Sequence, residues 1–116
     1  MPQLNKTQEA NTRKWIAALR SGEYKQGRNA LRTLNNEYCC LGVACDISGV
    51  GSWEPDGTLY TYLSRYDLLP DEVREYYGMN ASSSIRERIL IDMNDDNLAT
   101  FEQIAAYIEE SLEHDT

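Results

Sequence analysis

The segment Gly22-Glu23-Tyr24-Lys25-Gln26-Gly27-Arg28-Asn29 spaces two glycines around four residues and follows them at once with a basic side chain. That is the outline of a loop whose backbone N–H groups cradle phosphate. Nucleotide hydrolysis does not fit, because Arg28-Asn29 stands where such a loop needs Lys and a metal-binding hydroxyl, and because the preceding segment reads as a helix and not a strand. Anion binding fits: Lys25, Arg28 and Arg32 supply charge and bidentate donors beside Gly27. Tyr24, Tyr60 and Tyr62 offer rings that could hold a base, against the plainer role of half-buried packing.

Other clusters fall short of a chemistry. Asp92, Asn94 and Asp96 stand at the first, third and fifth positions of a calcium-type loop, but Asn97 and Gln103 replace the Gly and bidentate Glu it requires. A turn feeding a cap at Thr100 explains the same residues. Cys39, Cys40 and Cys45 lack Cys-x-x-Cys spacing, and the only histidine is His114 near the end. No zinc site and no base-activated thiol is expected, only reduced, buried cysteines. Asp92 and Asp95 could do acid–base work only if the fold brought them together. The sequence therefore predicts no catalytic residue, metal or cofactor.

The elements that position these residues follow from periodicity. Thr12, Trp15, Ile16 and Leu19 share one face of a helix from about Thr7 to Arg20, capped by Asn5 or Thr7 and ended by Ser21-Gly22. A loop over Gly22 to Asn29 leads to a hairpin of 30–34 and 37–40 turning at Asn35-Asn36. Cys40 to Ile47 is apolar on every side until Asp46 and reads as a short buried helix stopped by Ser48-Gly49. Residues 49–58, with Gly49, Gly51, Pro55 and Gly57, read as an irregular loop or a second hairpin around Trp53, returning through Leu59 to Tyr62. Pro70 opens a helix that stops at Gly78, and Ser82 to Ser84 cap another running through Ile85, Ile89 and Met93. Thr100 and Gln103 form a capping box for a last helix with the stripe Phe101, Ile104, Ala105, Ile108 and Leu112. The expected fold is a single α+β domain, 1–116, of about four helices packed with short antiparallel hairpins.

Charge is unevenly spread along this framework. Residues 1–32 carry seven basic and two acidic side chains, a local charge of +5, and residues 33–116 carry four against seventeen, a charge of −13. Either Lys6, Arg13 and Arg20, seven apart on the first helix, pair with the acidic last helix, or they belong to a binding face. The net charge of −8 argues against nonspecific nucleic-acid binding. A composition of 41% hydrophobic and 26% charged residues fits an ordinary globule, and no apolar run reaches the roughly 18 residues of a membrane span. Met1 to Lys6 show no apolar leader, so a cytoplasmic protein is expected.

Trp15, the run Ala18 to Gly27, Leu31-Arg32, the distinctive Tyr38-Cys39-Cys40-Leu41-Gly42-Val43-Ala44-Cys45-Asp46, Leu69-Pro70, Met93-Asn94-Asp95 and Phe101 to Glu109 resemble a family of small proteins of tailed bacteriophages and prophages. The resemblance covers about residues 13 to 110 and implies an accessory protein of the bacterial cytoplasm, with no catalytic residue carried over. Small acidic phage proteins of this kind often counter host defences, by binding nucleotide immune signals or by masking host proteins. The sequence expectation is therefore a noncatalytic protein that holds a small anionic, nucleotide-like ligand with Arg13, Arg20, Tyr24, Lys25, Gly27, Arg28 and Arg32. The alternative is an acidic module that occupies a basic site on a host protein; homo-oligomerisation is compatible with both.

Overall fold

The computed structural model describes residues 5–79 and 84–114. The first helix, α1, runs Lys6–Arg20 because Asn5 caps it reciprocally: Asn5 Oδ1 accepts from Gln8 N at 2.7 Å and Gln8 Oε1 from Asn5 N at 3.2 Å. Its apolar face buries Trp15, Ile16 and Leu19 against α5, Phe101–His114, and α2, Cys40–Ser48. The Thr100–Gln103 capping box opens α5 as the sequence predicts, with bonds of 2.8 and 3.1 Å. Helix α2 is the centre of the molecule, with every residue from Cys40 to Cys45 buried. It ends at Gly49, whose φ of 64° is the left-handed conformation a helix stop needs.

Close approach explains Gly42. A β-carbon there would lie 1.8 Å from the Leu31 carbonyl oxygen, so the helix can seat on the Leu31 backbone only without a side chain. Polar tips are satisfied inside the core: Trp15 Nε1 donates to Cys40 O at 3.0 Å and Tyr77 Oη to Ala44 O at 2.6 Å. The buried Glu87 carboxylate, on α4 (Ser84–Ile91), accepts from Leu69 N and Arg74 Nε at 2.8 and 2.9 Å. Arg74 lies on α3, Asp71–Tyr76, so this pair ties two helices to the preceding loop.

The sheet holds five short strands in the order β1 (Lys25–Gln26), β3 (Glu37–Tyr38), β2 (Arg32–Thr33), β5 (Leu59–Tyr62) and β4 (Trp53–Asp56). Both expected hairpins form, β2 with β3 and β4 with β5. The expectation of a plain loop over Gly22 to Asn29 is corrected: Lys25 and Gln26 pair parallel with Glu37 and Tyr38. Two residues are too few for an alternation to announce a strand, and a parallel partner twelve residues on leaves no hairpin signal. The first hairpin is also shorter than expected, since Ala30 and Leu31 go to the core and Cys40 belongs to α2.

Five α-helices are present among the described residues, where about four were expected. Helix α4 does not run regularly through Met93: after Ile91 it widens into a π-helical turn, Asp92–Asp96. The expected caps at Ser82 and Ser83 lie outside the described residues. The radius of gyration, 13.0 Å, is that of one folded unit of this length.

Candidate ligand-binding site

One face of the sheet gathers aromatic rings around a guanidinium. Strand register sets Gln26, Tyr38, Arg32, Tyr60 and Pro55 in one row across the sheet, so their side chains share a face. Tyr24, Trp53 and Tyr62, two residues along, lie on the same face. Arg32 stands over three rings, 4.1 Å from the Tyr60 centroid and 5.3 Å from those of Tyr38 and Trp53. Its Nε and Nη2 donate to Asn36 Oδ1 at 3.1 and 2.7 Å, which fixes the guanidinium plane. Asn36 can reach back because it turns the hairpin in the left-handed region, φ 60°. Nη1 has no acceptor among the described residues, so a free donor edge remains on a preorganised cation.

Asp46 anchors the rings from the other side. Its two oxygens accept from Tyr24 Oη at 2.5 Å and Trp53 Nε1 at 2.9 Å. Burial, and then this bond to Asp46, push the Tyr24 phenol well above its ordinary range. Burial raises Tyr38 likewise, against the pull of the Arg32 charge. Both rings therefore stay neutral at physiological pH. The rings meet edge to face, Tyr24 with Tyr38 at 5.0 Å and Trp53 with Tyr62 at 4.8 Å, the arrangement aromatic quadrupoles favour. Tyr24, Tyr38, Trp53 and Tyr60 remain half-buried, so a planar ligand can reach them.

The residues singled out in the sequence do not form one face. Tyr24 and Arg32 come together through Tyr38. Lys25 points to the opposite side of the sheet and pairs with Glu37 at 3.3 Å. Gly27 is buried, where a β-carbon would lie 2.7 Å from Glu37 Cβ. Arg28 is exposed without an ion-pair partner among the described residues. Arg13 pairs with Glu9 along α1 at 3.1 Å. Arg20 bridges to α5, contacting Glu102 at 2.8 Å and Glu109 at 3.2 Å, and these bonds raise its pKa. On Arg20 the charge asymmetry is a helix–helix pair.

Sequence reasoning missed Tyr38, Trp53, Asn36 and Asp46 as members of this group. Asp46 had a signal, as the one charged side chain in the apolar run 40–47. It also missed Asn94, fully buried in the π-helical turn. Its Oδ1 accepts from Gln26 Nε2 at 2.9 Å and Cys40 N at 3.3 Å, while its Nδ2 donates to Gly27 O and Asp95 Oδ1 at 2.9 and 2.8 Å. Asp95 Oδ1 also accepts from Asn29 N at 3.1 Å. The glycine loop is thus pinned from below, and its Asn29 amide is turned to a carboxylate and not to an anion.

The three thiols are buried, which pushes Cys39 up to about 12 and raises Cys40 and Cys45. Among the described residues no three His, Cys, Asp or Glu side chains are arranged to hold a metal ion. No helix among them is long and apolar enough to cross a membrane.

Fold and site together define a small α+β domain with a mixed sheet whose aromatic face surrounds a fixed arginine. The chain belongs to the family described as a domain of unknown function, DUF8296, whose profile matches residues 7–112. No curated protein and no solved structure shows significant similarity to it.

Proposed function

We propose that this is a noncatalytic binding protein that takes a small phosphorylated, ring-bearing ligand of the nucleotide class on the aromatic sheet face. The observation that carries this is Arg32, 4.1 Å above the Tyr60 ring centroid and held by Asn36, with Nη1 free among the described residues to donate to a phosphate oxygen. The half-exposed rings beside it supply stacking area, a combination that suits a base and its phosphate. Tyr24 and Arg32 are kept from the residues expected from sequence; Arg13, Arg20 and Lys25 are already neutralised by carboxylates. The sequence resemblance supports a phage accessory protein in the bacterial cytoplasm, and such a ligand there would be a nucleotide signal of host defence.

The test is thermal shift against nucleoside monophosphates, cyclic mononucleotides and cyclic dinucleotides, at low and high salt. A compound at one hundred times its dissociation constant adds about 2.7 kcal/mol of stability. Arg32→Ala should abolish that response and Arg20→Ala should keep it. The second reading, an acidic module that covers a basic site on a host protein, is favoured by the same ion pairs, since they leave the acid excess outward. No response to any phosphate compound, with stoichiometric capture of a basic host protein, would decide for it.

A further inference from the structure

Beyond Tyr62 the chain turns back at once. Leu63 and Ser64, left-handed at φ 49° and 71°, make a two-residue turn, and Arg65 closes it opposite Tyr62. Tyr62 N donates to Arg65 O at 2.8 Å and Arg65 N to Tyr62 O at 3.0 Å. Asn and Gly ordinarily make such turns, because a leucine in this conformation crowds its own backbone. Here the turn is held from outside. Leu63 lies on Gly51, where a β-carbon would be 2.7 Å from Leu63 Cγ, and Tyr62 Oη donates to Gly51 O at 3.0 Å and accepts from Gly51 N at 2.7 Å. Strain that the surroundings sustain marks a segment whose position matters, and what this turn positions is Arg65.

Residues directly opposite each other in an antiparallel pair share a face of the sheet. Trp53, Tyr62 and Arg65 therefore form a row beside that of Pro55, Tyr60, Arg32 and Tyr38, and Arg65 stands on the aromatic face. Tyr62 directs both its backbone groups to Arg65, so Arg65 lies on the side of β5 away from β4, which is the side of Arg32. Tyr60 and Tyr62 are two residues apart, which sets the two arginine backbones about 7 Å apart along β5. Arg65 is exposed and has no ion-pair partner among the described residues. Glu54 and Asp56 alternate to the opposite face, and Asp46 is already held by Tyr24 and Trp53. In a chain of net charge −8, the aromatic face thus gathers two arginines with donors to give. One fork takes one phosphate, and a second within reach suits a second.

Resting on the reading of the sheet face as a nucleotide site, we propose that Arg65 is its second phosphate-binding residue and that the ligand carries two phosphate groups, bridged as a diphosphate or set apart in a cyclic dinucleotide. The experiment is isothermal titration of the full chain, at low salt and without divalent cations. The probes are the 5′-monophosphates and 5′-diphosphates of the four ribonucleosides, with cyclic diadenylate and cyclic diguanylate. One of the two-phosphate kinds should bind at least about tenfold tighter than the monophosphate of the same base, as one more charge-assisted contact implies. Which kind does so tells whether the phosphates are bridged or separate. Arg65→Ala should remove that advantage and leave the monophosphate's affinity unchanged, with circular dichroism checking the fold. Equal binding of one- and two-phosphate compounds, or an advantage that survives in Arg65→Ala, would overturn the proposal and leave the sheet-face reading standing. Absence of binding by every nucleotide would overturn both.

Discussion

Arg32 shows how one residue acquires a role from its neighbours. In sequence it is one of seven basic side chains in the first 32 residues. In the fold it is the one that stands over three rings with its fork bonded to an asparagine. Lysine cannot reproduce that, because an ammonium has no plane to stack and no fork to present. Arg32→Lys should therefore weaken nucleotide binding nearly as much as Arg32→Ala, measured by titration. Arg28 is exposed and has no ion-pair partner among the described residues, so Arg28→Ala should melt within error of the parent.

The cysteines make a separate residue-scale prediction. Their folded pKa values are raised, so the folded chain holds these protons after the unfolded chain has lost them. The stability they contribute is fully present below the ordinary thiol value of 9.0 and is lost as pH rises from there toward the folded value of about 12 for Cys39. Denaturant midpoints should fall steadily above about pH 9. A thiol reagent should find none of the three cysteines in the native protein and all three in denaturant.

Among the elements, the long helices were legible because their stripes and caps are local: Asn5 with Gln8, Thr100 with Gln103, and the apolar run of α5. Strand β1 was not, because its partner is parallel and its length is two residues. The π-helical turn was not either. One inserted residue leaves the composition of a polar turn unchanged, yet it swings Asn94 inward to serve Gln26, Gly27 and Cys40. Asn94→Ala would strand several buried partners at about 1–3 kcal/mol each, so a loss of about 3 kcal/mol or more is expected in denaturant unfolding. Gly42→Ala forces Leu31 off the helix and should cost at least the about 3 kcal/mol at the upper end of overpacking.

Across the whole molecule, the α+β class and both hairpins could be read from sequence, but the site could not. Pattern reasoning grouped Arg13, Arg20, Tyr24, Lys25, Gly27, Arg28 and Arg32 by nearness along the chain. Strand alternation and helix pairing then sent them to different surfaces. Arg20 went to α5, so Arg20→Ala and Glu109→Ala should each lower the melting temperature in a salt-sensitive way, with less than additive loss when combined.

The most direct test of the central claim is a two-dimensional amide and indole NMR titration of the nitrogen-15-labelled chain with the nucleotide giving the largest thermal shift. The chain has two tryptophans, and they are built to report separately. Trp53 Nε1 donates to Asp46 within the aromatic face, and Trp15 Nε1 donates to Cys40 O inside the core. Binding on the sheet face predicts a saturable shift of the Trp53 indole and the Arg32 Nε–H resonance while the Trp15 indole stays still. Saturable shifts confined to α1 and α5 around Arg13 and Arg20, or no shift at Trp53 at saturating ligand, would contradict it.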